Sequence, residues 1–230
     1  MNNNVVAIPT IIMPQRAVFL AFEYSHDDAV EEVWILDNGH TEEDAAIIKE
    51  MIENDPKISY LNTRGMTLYE QWNYAMQLAN TCDFTGIVIS NDDVTISENM
   101  VSKLEKALYE DDNCWIVYPA APQYYHLNGL PQVTNGTKAD GGLDGSCFML
   151  KIDALRNGLP PIDERFIWWG GDDDLAMSIS TFNKTQKRVN DAYFVHQNEG
   201  TVSASNQFDH LHEAKLNDKF LLRQKWRINR

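Results

Sequence analysis

Cysteine is scarce in this chain of 230 residues, with Cys82, Cys114 and Cys147 the three present. Their wide spacing matches neither a zinc site nor a disulfide framework. Their apolar neighbours predict buried free thiols in a reducing compartment. Basic residues are few as well: 19 Lys and Arg stand against 34 Asp and Glu, a net charge of −15, with a pI near 4.7. That balance argues against a uniform electrostatic grip on nucleic-acid phosphates. The one basic concentration is Lys215, Lys219, Arg223, Lys225, Arg227 and Arg230. No run approaches the ~18 consecutive apolar residues of a membrane span. The opening Met-Asn-Asn-Asn-Val-Val lacks the basic and apolar regions of a secretory leader, so a soluble, cytoplasmic protein is expected. Internal repeats, linkers and low-complexity tracts are lacking too. After the first apolar run stands Ile11-Ile12-Met13-Pro14, which is no glycine- and basic-rich phosphate loop.

What is present is an ordinary globular composition, 43% hydrophobic and 23% charged, in a chain long enough to bury a sizeable core. Val5–Pro9 reads as a first buried strand, Ala17 to Ala29 as mostly helical, and Val33–Leu36 as a second strand stopping at Asp37-Asn38-Gly39. Thr41 is the expected N-cap of a helix with Glu42, Glu43 and Asp44 in its first turn. That helix is expected to turn Ala46, Ile47, Met51 and Ile52 inward. Ile58–Leu61 is a third strand. Thr67 and Glu70 form a capping box opening a helix to about Asn80. Thr85–Ser90 is a fourth strand, Ser97 to Glu110 a helix, and Cys114–Pro119 a fifth strand. Such alternation calls for an α/β fold with a mostly parallel central sheet flanked by helices. Residues 121–144 read as a long loop, and loops of that length tend to carry function. Ser146–Lys151 and Ala192–His196 are further strands. A helix follows Asp172-Asp173-Asp174 to about Phe182, and a polar amphipathic helix runs from Asn206 to Trp226.

Acidic and polar groups recur at strand and helix ends. Asp37 ends the second strand, Asn91-Asp92-Asp93 the fourth, Asp172 opens a helix after Gly170-Gly171, and His196 ends a late strand. Each has a plainer role: a turn, first-turn acids favoured by the helix dipole, or a half-buried histidine. Their common placement is where an open α/β sheet builds its ligand site. Trp168 and Trp169 offer flat apolar faces to an acceptor ring, or simply fill core.

In order, the stretches Ile8-Pro9-Thr10, Trp34–Gly39, Ile89–Val94, Gly142–Met149, Ile162–Phe166, Trp169–Leu175, Val195-His196 and Leu221–Trp226 resemble the family 2-like glycosyltransferases of the GT-A fold. The resemblance covers nearly the whole chain. It implies a single GT-A domain over residues 1–230, with a nucleotide-sugar-binding half (1–119) and an acceptor-binding half (120–230) that includes the C-terminal helix. It places Pro9, Thr10 and Asp37 at the nucleotide base and Asn62 and Gly65 in the loop closing over the nucleoside. Asn91 to Asp93 match the Asp-x-Asp element: Asn91 and Asp92 sit on the donor, and Asp93 holds Mn2+ or Mg2+ with His196. Asp172 matches the general base of inverting members, and Trp168, Trp169, Gly170 and Asp174 the acceptor side. Three positions depart from the pattern: Asn91 in place of the first Asp, Gly171 where Glu is usual, and Trp72 where Arg is common.

The implied activity is a metal-dependent transfer of a hexosyl or pentosyl group from a nucleoside-diphosphate sugar, UDP-sugar first, to an acceptor hydroxyl with inversion. The acceptor would be a glycan, a small molecule or a hydroxymethylated DNA base, in a bacterial or phage-infected cell. DNA would be met by the C-terminal helix through Lys219, Arg223 and Lys225. The alternatives are a non-catalytic binder of sugar nucleotides or glycans and a nucleotidyltransferase.

Overall fold

The computed structural model describes residues 3–11, 14–39, 41–120, 143, 145–196 and 209–228. In chain order the elements are β1 (Asn4–Thr10), α1 (Pro14–Ser25), β2 (Val30–Asp37), α2 (Glu42–Ile52), β3 (Ile58–Asn62) and α3 (Leu68–Thr81). Next come β4 (Gly86–Ser90), β5 (Val94–Ile96), α4 (Met100–Tyr109) and β6 (Cys114–Ala120). The chain continues through β7 (Cys147–Lys151), α5 (Asp153–Arg156), α6 (Gly171–Thr181), β8 (Thr185–His196) and α7 (Asp209–Trp226). Eight strands lie in the order β3-β2-β1-β4-β7-β6-β8-β5. Pairings among β1, β2, β3 and β4 and between β6 and β8 are parallel. β7 runs antiparallel to β4 and β6, and β5 antiparallel to β8.

The sheet is covered on both faces, as a parallel sheet must be. All seven residues of β1 are buried, and alternate ones enter different cores because successive strand side chains point to opposite faces. Val6, Ile8, Val33, Ile35 and Val88 meet α1, α2 and α4. Val5, Ala7, Trp34, Leu36, Ile87 and Ile89 meet α3 and α6, with Tyr69, Trp72, Leu175 and Ile179 opposite them. Among the described residues no helix is long and apolar enough to cross a membrane.

The expected capping box forms at Thr67–Glu70, and the expected N-cap Thr41 forms one as well, with Asp44. Other expectations need correction. α2 buries Ala45, Ile48 and Ile52, while Ala46 faces solvent and Ile47 is 46% exposed; the sheet selects the stripe that the helix period alone leaves open. Cys114 and Cys147 are buried as expected, but Cys82 is exposed, because it falls just past the end of α3. The expected loop over 121–144 lies outside the described residues except for Leu143. Ser97 does not cap a helix. The short β5, unforeseen, pairs with β8 there, and Ser97 exchanges bonds with Tyr193 through its backbone and hydroxyl.

α4 therefore begins at Met100 behind a left-handed Asn99 (φ +51°) whose side chain makes no cap bond. The cap comes from Asp27, buried in the turn after α1. Its carboxylate accepts from Val101 N at 2.8 Å, Ser102 N at 3.2 Å and the Ser102 hydroxyl. Asp27→Ala strands those donors and is expected to cost roughly 2 kcal/mol. Urea denaturation measures it, and a loss below about 0.5 kcal/mol would exclude Asp27 as the cap.

Candidate active site

The four neighbouring parallel strands β3, β2, β1 and β4 end on one edge. Register sets Pro9 beside Leu36 and Thr10 beside Asp37, and Asp37 beside Asn62. Thr10, Asp37 and Asn62 thus stand abreast, with Pro9 one residue behind. The Thr10 carbonyl continues the line by accepting from Asn38 N at 2.9 Å. Asp37 has no exposed surface. Its Oδ2 accepts from the Tyr60 hydroxyl at 2.6 Å and lies 3.7 Å from the Arg64 guanidinium. Burial and that carboxylate push the Tyr60 phenol up to about 12, so it stays a donor at neutral pH. The loop after β3 is pinned over this edge. Asn38 donates to Met66 O through Nδ2 and accepts from Gly65 N at 3.0 Å, while Asn62 Oδ1 accepts from Arg64 N at 3.1 Å. Gly65 sits at φ +87°, a conformation that glycine adopts without strain.

The acidic turn follows β4. Asp92 and Asp93 are 7% and 5% exposed, and the Thr10 hydroxyl donates to Asp92 Oδ2 at 2.6 Å. Burial, chiefly, raises the Asp92 carboxyl to about 6; the neighbouring Asp93 charge adds to this, against the Thr10 bond and the Arg16 cation. On the other side Asn91 N donates to Ser146 O at 2.9 Å. The adjacent Gly145 N donates to Asp172 Oδ2 at 3.2 Å, and Asp173 N to Asp172 Oδ1 at 3.0 Å. Two residues of backbone thus tie the acidic turn to the N-terminus of α6. A Cβ on Gly145 would lie 3.2 Å from both the Asp172 Cβ and the Trp72 ring. Trp72 is buried there, and so fills space at the place where a polar side chain was the common expectation. Gly171 is equally constrained: a Cβ on it would stand 2.1 Å from the Tyr69 ring, so no Glu could occupy that position without displacing Tyr69.

Trp168 and Trp169 are half-buried with ring centroids 6.3 Å apart at 63°. The Lys215 ammonium lies 4.7 Å from the centre of the Trp169 ring. Gly170 takes φ +86° and starts α6. Asp174 was expected on the acceptor side, but it is fully buried. Its oxygens accept from Lys225 Nζ at 2.9 Å, Trp226 Nε1 at 2.8 Å and Asp163 N at 3.1 Å. Asp174 is a tether between α6 and α7 rather than a group facing an acceptor. Lys225 is exposed, as Lys219 and Arg223 are, but its ammonium reaches back to Asp174 and Asp163. Sequence reasoning missed Asp218, Tyr60 and Arg64. The last two follow Asp37 by more than twenty residues, and only the β2–β3 pairing brings them close.

A divalent cation suits the donor set. Two buried carboxylates stand side by side, one raised by burial and its neighbour's charge, and bound positive charge relieves both. His196 pairs in register with Val94, next to Asp93; its side chain lies outside the described residues. Among the described residues no group of three or more His, Cys, Asp or Glu could hold a metal. Oxygens of a bound diphosphate would have to complete the shell, the usual arrangement for Mg2+ with nucleotides.

Residues 20–140, more than half of the chain, match the family described as Glycosyl transferase family 2. No curated protein matches the sequence. Among solved structures, GalNAc-T7 with UDP, GalNAc and Mn2+ is similar with TM-score 0.64 and 13% identity, over 85% of this chain and 44% of that one. The mannosyltransferase PcManGT from Pyrobaculum calidifontis, in complex with GDP-Man and Mn2+, gives 0.67 and 14% over 99% of this chain and 65% of that one. Glucosyl-3-phosphoglycerate synthase from Mycobacterium tuberculosis, with Mn2+, UDP and glucosyl-3-phosphoglycerate, gives 0.60 and 15% over 100% and 81%. The fold is GT-A, and the chain spans less than two thirds of the length of the first two.

In the metal-free protein Asp92 binds its proton more tightly folded (about 6) than unfolded (3.8). The folded state gains a proton in that window, so this group's penalty is absent below about pH 4 and complete above about pH 6. Asp92→Asn should stabilise the metal-free protein at pH 7.5 by roughly 2 kcal/mol more than at pH 4. Urea midpoints at both pH values check this, and a pH-independent difference refutes it.

Proposed function

The chain belongs to glycosyl transferase family 2, and on that premise we propose a metal-dependent, inverting transfer of a sugar from a nucleoside-diphosphate sugar to an acceptor hydroxyl. The observation that carries the reading is the bonded path Asp37–Asn38–Thr10–Asp92 and Asn91–Ser146–Gly145–Asp172. It links the edge where β1, β2 and β4 end to a carboxylate at the N-terminus of α6.

In this reading Pro9, Thr10 and Asp37 hold the base, with Asn62 and Gly65 closing over the nucleoside and Asn91 and Asp92 on the ribose and diphosphate. Asp93 and His196 hold Mn2+ or Mg2+, which when bound neutralises charge on the departing diphosphate. Asp172 takes the proton from the acceptor hydroxyl as that oxygen attacks the anomeric carbon from the face opposite the diphosphate. The new C–O bond forms as the bond to diphosphate breaks, and the electron pair leaves on the diphosphate oxygen. The amides of Gly145 and Asp173 orient the Asp172 carboxylate for that step. Trp168 and Trp169 flank the acceptor, with Gly170 giving the backbone room to turn between them and α6. UDP-sugars are the first donors to test, followed by GDP-sugars, since UDP and GDP-Man are the nucleotides named with the similar structures.

A thermal-shift series of nucleoside diphosphates and nucleotide sugars, with and without Mn2+, tests the donor side; a ligand of the native state raises Tm in proportion to ln(1 + [L]/Kd). A metal-dependent shift with one nucleotide supports the reading, and no shift with any removes it. Asp172→Asn should bind that donor as the wild type does while kcat falls by about 10²- to 10⁴-fold. Wild-type turnover in the variant would take the base role from Asp172.

A further inference from the structure

Asp218 is fully buried, and its carboxylate collects backbone amides from a loop 49 to 51 residues away in sequence. Ile167 N donates to both oxygens at 3.2 Å, and Trp168 N and Trp169 N reach Oδ2 at 2.8 and 2.9 Å. Three consecutive N–H groups converge on one buried carboxylate, whose charge strengthens each bond; the carboxylate needs such partners and the amides need an acceptor. The loop so held leads directly into Gly170 at φ +86° and then α6, two residues before Asp172.

The same face of α7 grips the segment further along. Lys215 lies on Trp169, Leu222 approaches Gly170, and Lys225 with Trp226 holds Asp174. Spacings of three and four residues put these side chains on one stripe of the helix. Asp172 is therefore bracketed: α7 holds the amides three to five residues before it and the carboxylate two residues after it. A displacement of about 1 Å in such a group is enough to lower turnover substantially.

We propose that Asp218 is a positioning residue: by gathering the amides of Ile167, Trp168 and Trp169 it sets the turn that aims Asp172 and the Trp168–Trp169 pair. The inference rests on the reading of Asp172 as the base. Asp218 touches neither donor nor acceptor and acts only through the turn.

Asp218→Asn is the test, because it keeps the shape, removes the charge and turns an NH2 toward amides. Expected is a kcat at least tenfold lower with the donor Kd, measured with Mn2+, unchanged within twofold. Near-ultraviolet circular dichroism of the Trp168–Trp169 pair should change with it. Asn217→Ala, exposed on the same helix, should leave all three as in the wild type. Should Asp218→Asn not fold, Asp218→Glu keeps the charge on a longer arm and should show the same split between kcat and donor Kd. Unchanged turnover and dichroism overturn the proposal. So does a loss of donor affinity equal to the loss of kcat, which marks general loosening. If the wild-type protein binds donor without transferring sugar, the reading of Asp172 fails, and the dichroism alone decides whether Asp218 sets the turn.

Discussion

Backbone groups of two successive residues, the Gly145 amide and the Ser146 carbonyl, hold the two halves of the site together. The carbonyl receives Asn91 N from the acidic turn, and the amide reaches Asp172 at the head of α6. The contact exists because β7 runs antiparallel to β4, so its N-terminal end arrives where β4 ends. Glycine is required at 145, since a Cβ there would press on both Asp172 and Trp72. An all-parallel sheet would have delivered that backbone to the wrong edge.

The edge so formed concentrates negative charge, and each carboxylate is compensated differently. Asp37 has a phenol and a guanidinium, and Asp172 has two amides. Asp92 takes the Thr10 hydroxyl, with the Arg16 cation nearby, and remains raised by burial and the charge of Asp93. At this adjacent pair a bound cation changes the electrostatics strongly, because two like charges at low exposure gain more from bound positive charge than solvated ones do.

α7 works on the opposite flank. The stripe it turns toward residues 167–174 carries a cation over an indole, an anion under three amides and a cation–indole pair on Asp174. A helix whose inner face is this polar specifies where it docks more sharply than an apolar stripe would, since each buried polar group needs its own partner. Lys225, which belongs to the basic stretch in sequence, takes part in that docking through its ion pairs with Asp163 and Asp174.

The alternation of strands and helices, the Thr41 cap and the Thr67–Glu70 capping box, the acidic turn and the acidic head of α6 follow from local rules, periodicity and side chains that bond their own backbone, and all are legible residue by residue. So is the clustering of Pro9, Thr10, Asp37, Asn62 and Asn91–Asp93, because a parallel sheet brings strand C-termini to one edge whatever its details. The inward stripe of α2, the exposure of Cys82, the late start of α4 and the short β5 were not legible. Cys82 is exposed because α3 stops one residue before it; each of the others depends on a partner distant in sequence: the sheet face, Asp27 and β8. The same holds for Asp174 and Asp218, whose sequence context says only that an acid stands near a helix start or inside a polar helix. Whether such an acid faces a substrate or buries itself under amides depends on which segment packs over it, and only the docking of α7 against residues 167–174 decides that.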